Sequence, residues 1–448
     1  VTEGYDYHHI SQGELWTGER WWYELAQVCR RWRCLILGSA HYLRLSLVCE
    51  HDRPVAEMLE HSPPLPLIID YVYDNDSITT KDREGIMLAL EHRDRVRCIR
   101  LDLHVQILQK VIMTLEDEFP ILEFLWIGPP FELNTSLMLP KSLRAPHLRH
   151  LKLSNFAFPI GSPLLTTAVG LVTLSLDDIS PSVYFHPNDL VHRLSQMPQL
   201  EALHIAFHSS VSNRDVKREL LCRPLTTPVT LSNLRCIMFK GTSAYLEARL
   251  RRLTVPLLAT LQFGFFSQLT FHLPRLLQFL NTAENVSLSS ATLNFLEDKV
   301  TVWVYPYNKA RMHTLKINVG CQGLGLDRQV ASTAQIASAL RSAFSAVEDL
   351  TLRCWTSPGR RVEADRTQWR DLLRPFSNVK TLRVHTGFVG QVSRSLRLED
   401  GESPMELLPE LKELSHANLY MFDEAFAAFI DARRIAGRPV TMVHNRSL

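Results

Sequence analysis

The sequence predicts an α/β solenoid, a parallel sheet with helices along one side, and three observations carry that expectation. Between Val96 and Leu414 an apolar anchor, two variable residues, an apolar residue, one variable residue and an apolar residue recur twelve times, with anchors at 96, 122, 148, 171, 200, 234, 258, 283, 312, 347, 379 and 411. Successive anchors lie 23 to 35 residues apart, room for one strand, one helix and two turns. Secondly, Pro120, Pro146, Pro198, Pro256 and Pro409 each stand two residues before an anchor; proline ends a helix and starts an extended segment without a backbone donor. Thirdly, the apolar period changes from two within each motif to 3.6 between motifs, as strand followed by helix requires. A unit of this kind cannot bury its apolar edge alone and stacks on its neighbours.

Taken in order, residues 43–48 and 65–71 read as strands with a helix over 55–61 between them, so the array is expected to begin near residue 42. The clearest motif copies are Leu148/Leu151/Leu153, Leu171/Leu174/Leu176, Leu200/Leu203/Ile205, Val347/Leu350/Leu352 and Val379/Leu382/Val384. The most degenerate are Ala283/Val286/Leu288 and Leu411/Leu414. Amphipathic helices are expected over residues 106–118, 189–196, 272–280, 335–344 and 367–374. Residues 211–230, 320–332 and 389–404, rich in Gly, Ser, Pro and charge, read as surface loops. A final helix over 423–436, opened by acids and closed by Arg433 and Arg434 before Gly437 and Pro439, is placed to cap the last repeat. The expected divisions are therefore a helical segment 1–41, an array 42–422 and a capping helix with tail 423–448.

Composition excludes several classes. The 448 residues carry 49 Lys and Arg against 47 Asp and Glu, a balance without the basic excess of a nucleic-acid-binding protein. No apolar run approaches the length of a transmembrane helix. Cysteines at 29, 34, 49, 98, 222, 236, 321 and 354 form no CxxC pair and no zinc spacing; they read as reduced thiols in an intracellular compartment, cytoplasmic or nuclear. The chain opens without Met or a signal peptide and is expected to begin inside a longer product. Phosphate loops, dinucleotide fingerprints, HExxH helices and GxSxG elbows are absent. His147 and His150 share an HxxH spacing, but they alternate with the repeat leucines Leu148 and Leu151, so His150 faces the open side of a strand rather than a metal. Neither catalytic residues, metal nor cofactor are expected.

Residues 21–45 differ from the array. Leu25, Val28, Cys29, Trp32, Leu35 and Ile36 fall on one face of a single expected helix, opposite Arg30, Arg31 and Arg33. The sequence Val28-Cys29-Arg30-Arg31-Trp32, with Leu25 before it and Leu35, Ser39, Tyr42 and Leu45 after it, resembles the second half of an F-box. Together with the degenerate array and the terminal FIDARRIAGRPV segment, the layout resembles fungal-type F-box proteins with degenerate leucine-rich repeats. Residues 1–20 show no counterpart of the first F-box helix. The resemblance implies a leucine-rich-repeat horseshoe, with sheet on the concave face and helices on the convex face. It also implies a Skp-family adaptor as partner, met through Leu25, Val28, Cys29, Arg30, Trp32 and Leu35. The asparagine that regular leucine-rich repeats place three residues after the last Leu is replaced by Phe156, Ile179, His208 and Trp355, so these turns are expected to find other backbone partners.

Strand alternation places the residues between the motif leucines on the opposite, open face. They include Arg100, Phe124, Trp126, His150, Lys152, His204, Lys240, Lys316, Arg353, Arg383 and His385. This basic balance favours an acidic or phosphorylated protein target, with Phe124 and Trp126 as anchors. The resulting expectation is a substrate-recognition subunit of a Skp/cullin/F-box ubiquitin ligase, without covalent chemistry of its own. A leucine-rich interaction scaffold with no ubiquitin link is the alternative.

Overall fold

The structure, a computed structural model, describes residues 21–39, 43, 45–72, 78–129, 137–180, 185–208, 228–266, 270–282, 288–306, 314–321, 325–355, 364–398, 401–403, 405–416 and 423–444. Residues 1–20, Tyr42, the anchors at 283 and 312 and most of the loop expected over 211–230 lie outside the described residues. The fold is mixed α/β, dominated by mostly parallel sheet with helices, and the chain divides into two units, Val1–Leu176 and Asp177–Leu448.

The first unit opens with two helices rather than the one expected. α1 (Trp21–Val28) and α2 (Arg30–Gly38) part at Cys29, whose extended backbone (φ −161, ψ 167) interrupts the helical hydrogen bonding. Its Sγ caps α2 by accepting from the Trp32 N–H at 3.5 Å, and Arg33 Nε donates to the Ala26 carbonyl at 3.0 Å. There follow β1 (Leu47–Cys49), α3 (Val55–His61), β2 (Leu67–Val72), α4 (Thr80–Glu91), β3 (Val96–Asp102), α5 (Val105–Ile112), β4 (Phe124–Gly128), β5 (Leu137–Met138), β6 (His150–Ser154), β7 (Phe156–Ala157) and α6 (Pro163–Thr167). β1, β2, β3, β4 and β6 pair in that order, all parallel; β5 and β7 form a separate short pair. β8 (Thr173–Ile179) carries the junction of the two units.

α4 escaped the sequence reading, although Thr79 and Asp82 form a capping box in which each side chain bonds the other's backbone N–H. Burial alone would raise the Asp82 pKa. Hydrogen bonds from Thr79 and the Asp52 N–H, with His51 nearby, outweigh it and hold the carboxyl below its ordinary value. α5 ends at Ile112, short of residue 118, because the chain turns to lay Glu118 against Arg144, and the Phe119 N–H bonds the Arg144 carbonyl.

The prolines before the anchors occupy β-turns. The anchor N–H bonds the carbonyl three residues back in Phe119–Leu122 (3.3 Å), Ala145–Leu148 (3.1 Å), Met197–Leu200 (3.2 Å) and Leu408–Leu411 (3.0 Å). Each of these turns carries Pro at its second position, where the fixed φ of the ring suits it. The turns without the asparagine close through the main chain: His208 N–H bonds the Ile179 carbonyl and Trp355 N–H the Phe295 carbonyl, each at 3.0 Å. Strand neighbours thus supply what a side-chain amide would have supplied.

The second unit contains α7 (Pro187–Leu194), β9 (Ala202–Phe207), β10 (Val229–Thr230), β11 (Cys236–Gly241), α8 (Ser243–Leu250), β12 (Leu253–Thr254), β13 (Thr260–Phe265), α9 (Pro274–Thr282), β14 (Ser290–Phe295), β15 (Lys299–Tyr305) and β16 (Leu315–Gly320). These are followed by α10 (Leu326–Ala339), α11 (Arg341–Phe344), β17 (Asp349–Cys354), α12 (Arg366–Leu373), β18 (Thr381–Val384), α13 (Val389–Leu396), β19 (Glu413–His416), α14 (Ala427–Ile435) and β20 (Thr441–His444).

Its sheet departs from sequential stacking. The order is β9, β11, β13, β16, β15, β14, β17, β18, β19, β20, and β15 is antiparallel to both its neighbours. After β13 the chain therefore leaves two places open, lays down β14, and returns through β15 and β16 to fill them. The expected copy Ala283/Val286/Leu288 is thus misplaced: the strand is Ser290–Phe295, with Ala291, Leu293 and Phe295 inward and Leu288 in the anchor position. Two expected loops, 320–332 and 389–404, are each helical over about half their length. α10 starts at Leu326, well before residue 335, and buries Val330, Ala334, Ile336 and Ala337; α13 buries Val389, Val392 and Leu396. Their apolar spacing is helical, and the small polar residues between them gave the composition of a loop.

Two arginines are buried in opposite circumstances. Arg433 is 1 % exposed, and its guanidinium donates to the carbonyls of Leu408 (3.4 Å), Pro409 (2.9 Å), Leu411 (3.0 Å) and Arg438 (3.3 Å). The arginine that closes the final helix is thus a buried tie. Arg249 is 0 % exposed, and its Nε, Nη1 and Nη2 find no hydrogen-bond partner. It lies 5.1 Å from the Phe239 ring centroid, and burial pushes its pKa down to about 10. Arg249→Met is expected to raise the unfolding free energy by about 1–4 kcal/mol, because desolvation of the charge outweighs its ring contact. Urea titration checks this: the midpoint rises at unchanged slope, whereas a lower midpoint contradicts it.

Candidate binding surfaces

The first candidate surface is the outer side of α1 and α2. Trp22, Ala26 and Ile36 are buried, whereas Val28 is 65 %, Trp32 44 % and Leu35 60 % exposed. The expected single apolar face is therefore divided, and Ile36 parts from Trp32 and Leu35. Leu25 is half-buried, and Cys29 and Arg30 are exposed. Large apolar side chains clustered at a surface mark contact sites more often than scattered ones do.

The second candidate surface is the sheet face away from the helices. In both units the inward-facing strand residues turn toward the helices: Gly85 of α4 approaches the Tyr71 hydroxyl of β2, while Phe295 of β14 meets Trp369 of α12 with ring centroids 5.8 Å apart. The alternate residues form rows across the other face. In the first unit Asp70, Arg100, Trp126 and Lys152 stand opposite one another on successive strands. Arg100 bonds Asp70 at 2.9 Å and lies 5.2 Å from the Trp126 ring centroid, with the Lys152 ammonium at 4.4 Å. Trp126 is consequently 8 % exposed, so it is a spacer between cations and not the open anchor expected. Burial raises the Asp70 carboxyl despite Arg100 and His51, and raises that of Asp102 despite Lys152. In the next row Phe124 lies against His150, whose Nδ1 is 3.1 Å from the Thr173 hydroxyl. Burial, then Arg149, keep the His150 imidazole below its ordinary pKa against the opposing pull of Glu123.

The remaining expected residues lie in the second unit. His204 Nδ1 is 3.1 Å from Asp177, Lys240 3.9 Å from Asp178 and Arg383 3.9 Å from Asp349. Lys316 lies 5.7 Å from the Trp303 ring centroid. Burial, then Arg353, depress the His385 imidazole.

Sequence reasoning missed the centre of this face. β14 and β15 bring Asn294 opposite Thr301 on one side and Arg353 on the other, and set Trp303 between Lys316 and Thr292. Asn294 is 3 % exposed, and both its Nδ2 and Oδ1 lack a hydrogen-bond partner; so do the Trp303 Nε1 and Arg353 Nε. An unsatisfied buried polar group costs about 1–3 kcal/mol, and each such group in a native protein calls for a reason. The strict alternation of Val300, Val302 and Val304 was the signal that would have revealed β15.

Among the described residues no group of three or more His, Cys, Asp or Glu side chains is arranged to hold a metal ion. No described helix is long and apolar enough to cross a membrane. Comparison of the chain with protein-family models and with curated proteins returns no match. Fold and surfaces together define a mixed α/β protein with a helix pair that exposes Val28, Trp32 and Leu35 and a mostly parallel sheet whose face away from the helices carries paired charges.

Proposed function

We propose that this chain is a substrate-recognition subunit of a Skp/cullin/F-box-type ubiquitin ligase, built on a degenerate leucine-rich-repeat array and working inside the cell. The observation that carries the reading is the exposure of Val28, Trp32 and Leu35 at the positions that resemble the adaptor-contacting half of an F-box. A Skp-family adaptor would cover these side chains, with Cys29 and Arg30 at the rim, and the sheet face away from the helices would hold the target protein. The chain then performs no covalent step. It raises the effective concentration of a target lysine beside a charged conjugating enzyme, which is catalysis by proximity.

Co-purification tests the reading. The chain is expected to carry a Skp-family adaptor through affinity capture and gel filtration, and Leu35→Glu to lose it while keeping its melting temperature, since Leu35 lies outside the core. An adaptor that fails to bind the wild-type chain would reduce the protein to an interaction scaffold.

A further inference from the structure

The exposed apolar surface of α1 and α2 has an arginine set within it. Arg31 precedes Leu35 by four residues on α2 and adjoins Trp32, so its side chain shares the Leu35 side of the helix, away from buried Ile36. We propose that Arg31 selects the partner that covers this surface: an amphipathic helix whose apolar stripe meets Trp32 and Leu35 and whose flanking carboxylate receives the Arg31 guanidinium. This rests on the reading that a protein partner covers α1 and α2, and it names the chemistry of that partner. The residues that the F-box resemblance assigns to the contact do not include Arg31.

Arg30, Arg31 and Arg33 are all exposed, and Glu24 is the one acid on the described residues of the helix pair. Glu24 stands on α1, four residues before Val28. Arg33 is tied inward, its Nε donating to the Ala26 carbonyl at 3.0 Å. Arg30 and Arg31 have no ion-pair partner among the described residues. In water an arginine needs none, but the place of Arg31 changes this once Leu35 is covered. A surface that removes Trp32 and Leu35 from water removes the Arg31 guanidinium with them, and a desolvated charge left without a counter-charge opposes binding strongly. A carboxylate offsets that cost by accepting two N–H groups of the planar fork, whereas a lysine at the same place is repelled. Spacing sets the form of the partner. Trp32 and Leu35 lie about one helical turn apart, and the ridge they make packs into the groove between the side chains of a second helix. Trp and Arg are also the side chains that dominate such contacts.

The test uses the full chain and fluorescent helical peptides that share one leucine stripe flanked by Glu, Gln or Lys, with phosphatidylserine vesicles as a further probe. The Glu peptide is expected to bind, the Gln peptide about tenfold more weakly and the Lys peptide more weakly still. Arg31→Glu is expected to reverse the order of the Glu and Lys peptides at an unchanged melting temperature, because Arg31 lies at the surface. Arg30→Glu is expected to change the Glu-peptide affinity less than about threefold, which separates a specific fork from general attraction. An unreversed order in Arg31→Glu, no binding of the Glu peptide by the wild-type chain, or binding to the vesicles in its place would overturn the proposal. A Skp-family adaptor assayed beside the peptides reports separately on the ligase reading. Peptide capture that depends on Arg31 without adaptor binding sinks that reading alone, and adaptor binding indifferent to Arg31→Glu sinks this proposal alone.

Discussion

Arg433→Met is expected to lower the unfolding free energy by about 3–5 kcal/mol, although the residue closes a short helix near the end of the chain. The side chain is 1 % exposed and serves the carbonyls of Leu408, Pro409, Leu411 and Arg438. Methionine would fill much of the volume and leave those carbonyls without their donor, so lost hydrogen bonding dominates over lost packing. The turn beneath also depends on it: Leu408 holds φ at 50, an unfavourable conformation for a side chain of its size. Arg433→Lys is expected to recover little, since one ammonium cannot reproduce the planar fork. Denaturant unfolding monitored by circular dichroism measures both variants, and a loss below about 1 kcal/mol for Met would show that the carbonyls are satisfied without the guanidinium.

Trp369→Ala is expected to cost about 3–5 kcal/mol by removing a large fully buried side chain. The indole is 0 % exposed, lies 5.0 Å from the Phe388 ring centroid and 5.8 Å from that of Phe295, and donates from Nε1 to Gln391 Oε1 at 3.0 Å. It joins α12 to the β14 strand that the chain lays down out of order. Trp369→Phe separates the contributions. The Gln391 Oε1 keeps the Ala364 N–H as donor at 3.3 Å, so the loss is expected to fall to about 1–2 kcal/mol. Equal losses for Ala and Phe would place the energy in the hydrogen bond rather than the rings.

The parts of the fold legible in sequence were those written in a repeated period. Leu151, Leu153, Leu350 and Leu352 are buried where the motif puts them, because alternation on a strand leaves one face to the core whatever its neighbours are. The β14–β15–β16 rearrangement was illegible for the converse reason. Strand order is decided by which edges are free when each segment arrives, and β15 carries no anchor of the repeated kind. Buried arginines are illegible for the same reason: at a helix end Arg433 reads only as a basic residue suited to the last turn, and the returning carbonyls of Leu408, Pro409 and Leu411 make it internal. For the candidate surfaces, Arg100, Trp126 and Lys152 were found by alternation, but their mutual contacts were not, since cross-strand register decides which cation meets which ring. Asn294 lay hidden behind a motif copy set five residues too early.

The central claim is that α1 and α2 present an adaptor-binding surface. Calorimetric titration of the full chain with a purified Skp-family adaptor tests it most directly. The account predicts saturable one-to-one binding, weakened at least tenfold by Trp32→Ala, whose side chain is 44 % exposed, and unaltered by Asn294→Thr. No measurable binding by the wild-type chain, or equal binding by Trp32→Ala, would contradict it.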